Sequence, residues 1–485
     1  MKEINDYNMS NDISVIGRTA EYERLDECMK SAEPQLIGIY GRRRVGKTFL
    51  INNYFNGRFD FKITGIYDQP TEIQLMSFAT ELSNQTGRDY SVPQSWMEAF
   101  GLLKSYILTK SDKEKQVIFF DEMPWMDTNK SDFMIGFEWF WNGWANARKN
   151  LVFIVCGSAT SWMKKNFDDN TGGLYKRLTC RIYLEPFTLR ETEQYLKQKN
   201  IEWSRYYIIE CYMIMGGIPY YLSLLKPSLT YDQNIDNIFF RKRAELWDEF
   251  TFLYKTLFNN SGQYIRIVEA LSKKRSGLTR NEIIASTKLP DNGKLTEYLN
   301  DLEYSGFIRI NDFFGKKNQK VFQLSDYYTM FYFKYIKNNY GKDEQFWENN
   351  ANASSRTSWA GLTFEQVCKD HICQIKKKLG ISGVSSDVSV WSVTGNDERS
   401  GAQIDMIINR KDKVINLCEA KFSTGEYEID KDYDSNIRNK IEAFRANTKT
   451  KSALHFTMIT TYGVKKNKYS NVVNSNITID DLFEN

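Results

Sequence analysis

From residue 17 to about 185, short apolar runs alternate with stretches of helical spacing. LIGIY, VIFF, LVFIV and RIYL are too short for buried helices, and segments such as FLINNYF lie between them. Strands of this kind alternating with helices predict a parallel sheet covered on both faces. Residues 188 to about 335 lack such a series and read mainly as helices: ETEQYLKQK and RYYIIECYMIM have helical spacing, and GGIP breaks the pattern. The polar text from Asn338 to Ser358 predicts a linker. After it come a helix near 361–378 and three strand-like runs, VSVWSV, AQIDMII and VINLCEAKF.

At 485 residues the chain is too long for one ordinary core. Its 41% apolar and 26% charged residues mark a globular chain rather than a disordered one, and 15% aromatics supply rings for cores and surfaces alike. No run of about 18 apolar residues offers a membrane span, and the opening MKEINDYNMSNDIS lacks a secretory apolar stretch. Seven scattered cysteines with no CxxC pair read as reduced thiols, so a cytoplasmic protein is expected. The net charge of +4 arises from 65 basic and 61 acidic residues, so any nucleic-acid contact must rest on a local patch.

Gly41-Arg42-Arg43-Arg44-Val45-Gly46-Lys47-Thr48 matches GxxxxGK[ST], between the strand-like LIGIY and the helical FLINNYF. Such a loop curls so that its N–H groups meet phosphate oxygens at a helix N-terminus. Lys47 is expected to reach the β- and γ-phosphates of ATP, and Thr48 to ligate Mg2+. The run VIFF ends in Asp121 and Glu122, a magnesium-holding carboxylate followed by one placed to polarise the attacking water. LVFIV leads to Ser158, a polar residue able to sense the γ-phosphate. Arg177 and Arg181 are candidates either for stabilising nucleotide charge or for pairing with nearby carboxylates.

VIGRTAEYERL, GRRRVGKT, FFDE, LYKRLT, EPFTLRE and GGIPYYL together resemble the ATPase domain common in archaea and anaerobic bacteria, a branch of the signal-transduction ATPases related to the AAA+ class. The resemblance spans roughly residues 15–330. It implies that Gly17 and Arg18 begin the segment beside the adenine. It also implies that Pro219 belongs to a lid motif contacting the nucleotide, and that a winged helix follows the lid.

Residues 262–325 carry a pattern of their own that fits the last expectation. YIRIVEALSKK reads as a helix, Thr279 and Glu282 form a capping box for a second, and Leu295, Leu299 and Leu302 give a third one buried stripe. FIRINDFFGKKNQKVFQLS then reads as two strands around a turn. Lys273, Lys274, Arg275 and Arg280, with Lys316, Lys317 and Lys320 on the turn, form a basic array for DNA phosphates. A regulatory lid with solvated lysines is the equal alternative.

After the linker, Asp405 lies in AQIDMII, and Glu419 and Lys421 lie two apart in VINLCEAKF, on one face of a strand. A hairpin turn at Asn409–Lys413 brings Asp405 beside that face. Two carboxylates and a lysine so placed can hold a divalent ion and steady an attacking water, with Glu365 as a further carboxylate. The pattern resembles the PD-(D/E)XK nuclease superfamily over roughly residues 360–470, with Ile404 in place of the proline. Cys368, His371 and Cys373 are not a zinc set, because about 100° of rotation per helical residue turns the thiols apart; the cysteines read as core thiols. His455 reads as a packed strand residue and Lys376–Lys378 as a solvated helix end.

The expected architecture is α/β: a P-loop, AAA-like parallel-sheet domain over 1–187, a helical lid over 188–258, a winged helix over 259–340 and a restriction-endonuclease-like domain over 360–485. The expected function is an ATP-hydrolysing protein acting on DNA, its nucleotide state gating the winged helix and a nuclease that uses Mg2+ or Mn2+. The alternative is an ATP-controlled switch binding DNA or a protein through an inactive nuclease fold. Neither reading involves a membrane, and both allow a homo-oligomer.

Overall fold

Six consecutive buried residues in each of three strands, β1 (Gln35–Tyr40), β3 (Gln116–Asp121) and β4 (Leu151–Cys156), set the first part of the molecule. With β2 (Phe61–Thr64) and β5 (Cys180–Tyr183) they form an all-parallel sheet in the order β2-β3-β4-β1-β5. Alternate side chains feed two cores. Ile118, Phe120 and Phe153 meet Trp96, Phe100 and Phe137 from helices Trp96–Ile107 and Phe133–Gly143. Val117, Phe119 and Ile154 share a second core with Leu25, Ile51 and Phe55. Burial on both faces is why these runs are apolar throughout rather than alternating. The four runs read as strands fall on β1, β3, β4 and β5. β2 was not among them: it is a short edge strand whose Phe61 and Ile63 are buried while Lys62 and Thr64 are not.

The structure is a computed structural model describing residues 15–169, 172–316, 319–339, 341–395 and 401–484. Its contacts divide the chain into two units, residues 1–186 with 253–259, and residues 187–252 with 260–485. Lys317 lies outside the described residues. Among the described residues no helix is long and apolar enough to cross a membrane.

The second unit contains helices Leu189–Gln198 and Arg205–Met215, then helices Ser261–Ser272, Arg280–Thr287 and Gly293–Tyr304. An antiparallel hairpin follows, β6 (Ile308–Asp312) and β7 (Lys320–Leu324), with Leu278 bridging to Phe322 as a short third strand. Thr279 and Glu282 cap the second of the three helices reciprocally, and Leu295, Leu299 and Leu302 are buried on the third. A mixed sheet follows: β8 (Ser386–Val393), β9 (Ala402–Arg410), β10 (Val414–Lys421), β11 (Ala453–Thr460) and β12 (Ser475–Thr478), in the order β12-β11-β10-β9-β8. β8, β9 and β10 run antiparallel, whereas β10, β11 and β12 are parallel. Helix Lys431–Thr448 makes the crossover from β10 to β11.

Two sequence expectations need correction here. Residues 338–358 are not a solvated linker. Trp347 is buried, its N–H and that of Glu348 donate to Asp236, and Arg356 is buried against Asp232 at 2.7 Å and Glu210 at 3.4 Å. Polar composition misled because these polar groups are satisfied inside the fold rather than by water. The single helix near 361–378 is two, Ser354–Asp370 and Ile372–Lys378, separated at His371. His371 is buried, and its Nε2 accepts the Leu189 N–H at 3.0 Å while its Nδ1 lies 2.8 Å from Val367 O.

Candidate functional site

β1 delivers the chain into the loop at Gly41, whose φ of +136° and whose missing side chain are both required: a Cβ there would lie 2.5 Å from Leu184 O. Gly46 ends the loop at φ +93°, and helix Lys47–Tyr54 begins at once. The Lys47 ammonium is buried and donates to Gly41 O and Arg42 O, each at 2.9 Å. Thr48 Oγ1 donates to Asp121 Oδ2 at 2.8 Å. Burial, together with the Glu122 charge, pushes the Asp121 carboxyl above its ordinary range, while the Thr48 hydroxyl opposes the shift. A buried ammonium, a hydroxyl and a carboxylate around a glycine cradle fit ATP with Mg2+: the first would meet phosphate, the other two the ion.

The strand order explains a contact the sequence reading missed. β4 lies between β3 and β1, so its C-terminal end emerges beside that of β3. There Ser158 gives Glu122 Oε2 two hydrogen bonds, from its N–H at 3.0 Å and from its Oγ at 2.7 Å. Glu122 itself stands in the left-handed region, φ 45° and ψ 45°, a costly position for a residue other than glycine. Ser158 therefore touches the carboxylate assigned to water, which sequence reasoning had kept separate.

Arg18 begins helix Thr19–Lys30 in a left-handed conformation after Gly17, and its guanidinium donates to Val45 O at 3.4 Å, joining the N-terminal segment to the loop. Arg43 faces the Trp125 ring at 5.8 Å. Arg177 is exposed and donates to Gly173 O, whereas Arg181 is paired with Asp168 at 2.6 Å, the bland alternative for that residue. Pro219 belongs to the second unit, where it opens a helix, Pro219–Ser223.

Residues 16–225 match the ATPase domain found predominantly in Archaea. Over 413 residues the chain is 24% identical to an uncharacterized protein of Methanocaldococcus jannaschii, covering 84% of this chain and 87% of the relative. A Walker-type ATPase of Pyrococcus abyssi aligns with a TM-score of 0.47 at 16% identity, over 66% of this chain and 96% of that one. An ORC2 protein of Aeropyrum pernix, solved in ADPNP–ADP complexes, aligns at 0.44 and 13%, over 69% and 96%. The family match covers the parallel sheet, the loop at 41–48 and the carboxylates ending β3, and it supports ATP binding and hydrolysis.

The second cluster is in the C-terminal sheet. Ladder pairing of β9 with β10 reaches Cys418↔Met406, and one step on the Asp405 carboxylate accepts the Ala420 N–H at 3.0 Å. Between Ser389↔Ile407 and Trp391↔Ile404, β8 spends one residue, Val390, where β9 spends two, Asp405 and Met406. This bulge re-aims the strand at the carboxylate. Burial raises the Asp405 carboxyl well above its ordinary range, with the charges of Glu419 and Glu365 adding to it. Burial raises Glu365 as well, and the Glu419 charge adds there too. Glu419 goes the other way, held below its usual range against its own burial. Lys421 lies 3.0 Å from its Oε1, and Lys440 is 2.8 Å from each oxygen.

The structure thus brings Asp405, Glu365, Glu419 and Lys421 into one neighbourhood. Among the described residues, however, no three His, Cys, Asp or Glu side chains converge to hold a metal ion. Asp405 and Glu365, whose charges oppose one another, are the pair a divalent ion would relieve; Glu419 is already neutralised by two ammoniums. Magnesium sites built on one or two carboxylates are ordinary, so this donor set fits a divalent ion through two groups, not three. Cys368 is buried as a core thiol, but Cys373 is exposed, because the helical rotation that turns it from Cys368 also turns it to solvent. His455 is half-buried on β11.

Lys440 and Tyr433, whose hydroxyl donates to Glu419 Oε1 at 3.1 Å, were missed. Their signal was present: Tyr433, Ile437, Lys440 and Phe444 follow helical spacing on helix Lys431–Thr448, so a lysine occupies a position in an otherwise inward stripe. The basic array of the three-helix segment is also changed. Lys274, Arg280 and Lys320 are paired with Glu282, Asp291 and Asp312. Arg275 turns inward onto the Trp359 ring at 4.8 Å, with Thr363 Oγ1 at 3.3 Å, away from any outer binding face.

Proposed function

We propose that the chain binds ATP with Mg2+ at residues 41–48 and hydrolyses it, with Asp121 at the ion and Glu122 at the attacking water. The observation that carries this reading is the convergence of Lys47, Thr48, Asp121, Glu122 and Ser158 at the ends of three neighbouring strands. The chemistry needs stabilisation of phosphate charge and a positioned water. Lys47 supplies the first. Glu122 supplies the second once its carboxylate exchanges Ser158 for water. Gly17, Arg18 and Arg177 are proposed to flank the nucleotide, and Pro219 to act from the lid.

Nucleotide state, in the same reading, controls action on DNA by residues 259–340, read as a winged helix, and by a PD-(D/E)XK-like site at Asp405, Glu419 and Lys421. A bound Mg2+ or Mn2+ would stabilise charge on the phosphodiester. Asp405 and Glu365 would hold it, and Lys421 would orient the water or steady the developing charge. The alternative, a DNA- or protein-binding switch with an inactive nuclease fold, is favoured by one observation: Lys440 and Lys421 together occupy Glu419. The deciding experiment incubates the protein with labelled linear, nicked and branched DNA, with and without ATP and Mg2+ or Mn2+. Cleavage lost in Asp405→Ala supports the nuclease; binding without cleavage under every condition supports the switch.

A further inference from the structure

The bulge that presents Asp405 also leaves the backbone of Val390 without a regular partner on β9, and the hairpin takes it. Phe314 N donates to Val390 O at 2.9 Å, and Phe313 forms a parallel bridge to the same residue. The Phe314 ring packs on Phe444 of helix Lys431–Thr448 at 5.1 Å. Phe313 and Phe314, which follow β6, are thus fastened to the sheet carrying the carboxylates.

Hairpin and sheet enclose one cleft of about 700 Å3. Lys316 of the hairpin turn lines it on one wall and Gln403 of β9 on the other; Lys274 with its partner Glu282, the buried Trp391, Glu365 and Asp405 also border it. Lys316 is exposed and lies over the Phe313 ring at 4.7 Å, so cation and aromatic face share one wall. We propose that this cleft takes a single strand of nucleic acid, placing a phosphate beside Asp405; the inference rests on reading the Asp405 cluster as a phosphodiester site. Size supports it. The volume falls in the range of small-ligand sites, roughly 300–1,000 Å3, the scale of a few unpaired nucleotides rather than of two paired strands. The lining supports it as well, because cations tracking a backbone beside aromatic faces are how single strands are held.

The test uses the full chain carrying Asp405→Asn, which removes a charge and keeps an acceptor for the Ala420 N–H, in EDTA. Fluorescence anisotropy then compares a short labelled DNA strand with the blunt duplex of the same sequence. The single strand is expected to bind about tenfold more tightly or better. Lys316→Glu and Gln403→Glu, one on each wall, are each expected to weaken it about fivefold or more as phosphate is repelled. Lys411→Glu, on the β9–β10 turn at the other end of β9, should leave binding unchanged. Equal or tighter duplex binding, no binding of the strand, or an equal loss in Lys411→Glu overturns the inference. If the strand binds as expected but the unmutated protein cuts nothing with Mg2+ or Mn2+, the nuclease reading fails and the cleft stands. Should the unmutated protein instead cut duplex in preference, the cleft inference fails and the nuclease reading stands.

Discussion

Replacing Lys47 by alanine tests the nucleotide site at its most charged contact. An ammonium and a phosphate oxygen about 4 Å apart attract by about 4 kcal/mol at an effective dielectric constant of about 20. That ammonium donates to Gly41 O and Arg42 O at 2.9 Å, and a hydrogen bond from a charged group contributes about 2 kcal/mol net. Giving up one of them for phosphate leaves about 2 kcal/mol that the alanine variant lacks. That corresponds to roughly thirtyfold in Kd for ATP. Titration calorimetry with ATP and Mg2+ at fixed ionic strength measures it, with thermal unfolding run beside it to show that the variant is folded. A Kd within about fivefold of the parent would refute the assigned role, since it would mean that the ammonium stays on its own loop carbonyls when nucleotide binds.

Glu122→Gln should bind ATP within a few-fold of the parent and lose about a hundredfold or more in kcat; an equal loss of binding would contradict its separation from Lys47. Asp405→Ala and Lys421→Ala are each expected to abolish metal-dependent strand cleavage with ATP turnover unchanged, read by gel and phosphate release; cleavage that survives both removes the site assignment. Phe120→Ala, which empties a position between Phe100, Phe61 and Phe153, should cost about 3–5 kcal/mol, measured by denaturant unfolding; a loss under 1 kcal/mol would argue against this core. Burial lowers the folded pKa of His371, so the unfolded chain takes up the proton first. Its contribution to stability should be full above the unfolded value near 6.5 and decline as pH falls below it. Urea midpoints of the parent and His371→Gln across this window should converge in acid, and parallel curves would refute the assignment.

The loop and the carboxylates beside it were legible because their pattern is local: Gly41 to Thr48 is one contiguous loop, and Asp121 and Glu122 come at the end of a strand buried on both faces. β2 escaped because an edge strand of four residues with only Phe61 and Ile63 inward carries too short a pattern. The Ser158–Glu122 contact depends on strand order, which apolar runs do not encode. Asp405, Glu419 and Lys421 were placed together correctly from strand alternation and a hairpin turn. Lys440 comes from a crossover helix, so its role required the parallel step from β10 to β11. The error at residues 338–358 has the same root, since a buried Arg356 reads as solvated until Glu210 and Asp232 are known to surround it.

Helix Ser354–Asp370 has a mechanical consequence. Its 17 residues make a rod about 25 Å long. Near one end, Arg356 is gripped by Glu210 and Asp232, with Trp347 under its guanidinium at 4.3 Å. Nine residues on, Glu365 projects at the cleft. The far end is pinned by His371 to the first turn of helix Leu189–Gln198. A rod held at both ends by residues 189–232 cannot leave Glu365 in place when those helices turn. The carboxylate pair of Glu365 and Asp405 is therefore geared to the helices that follow Pro186. Exchanging either part for a foreign counterpart, as in gene recombination, would break the gear before it broke either fold.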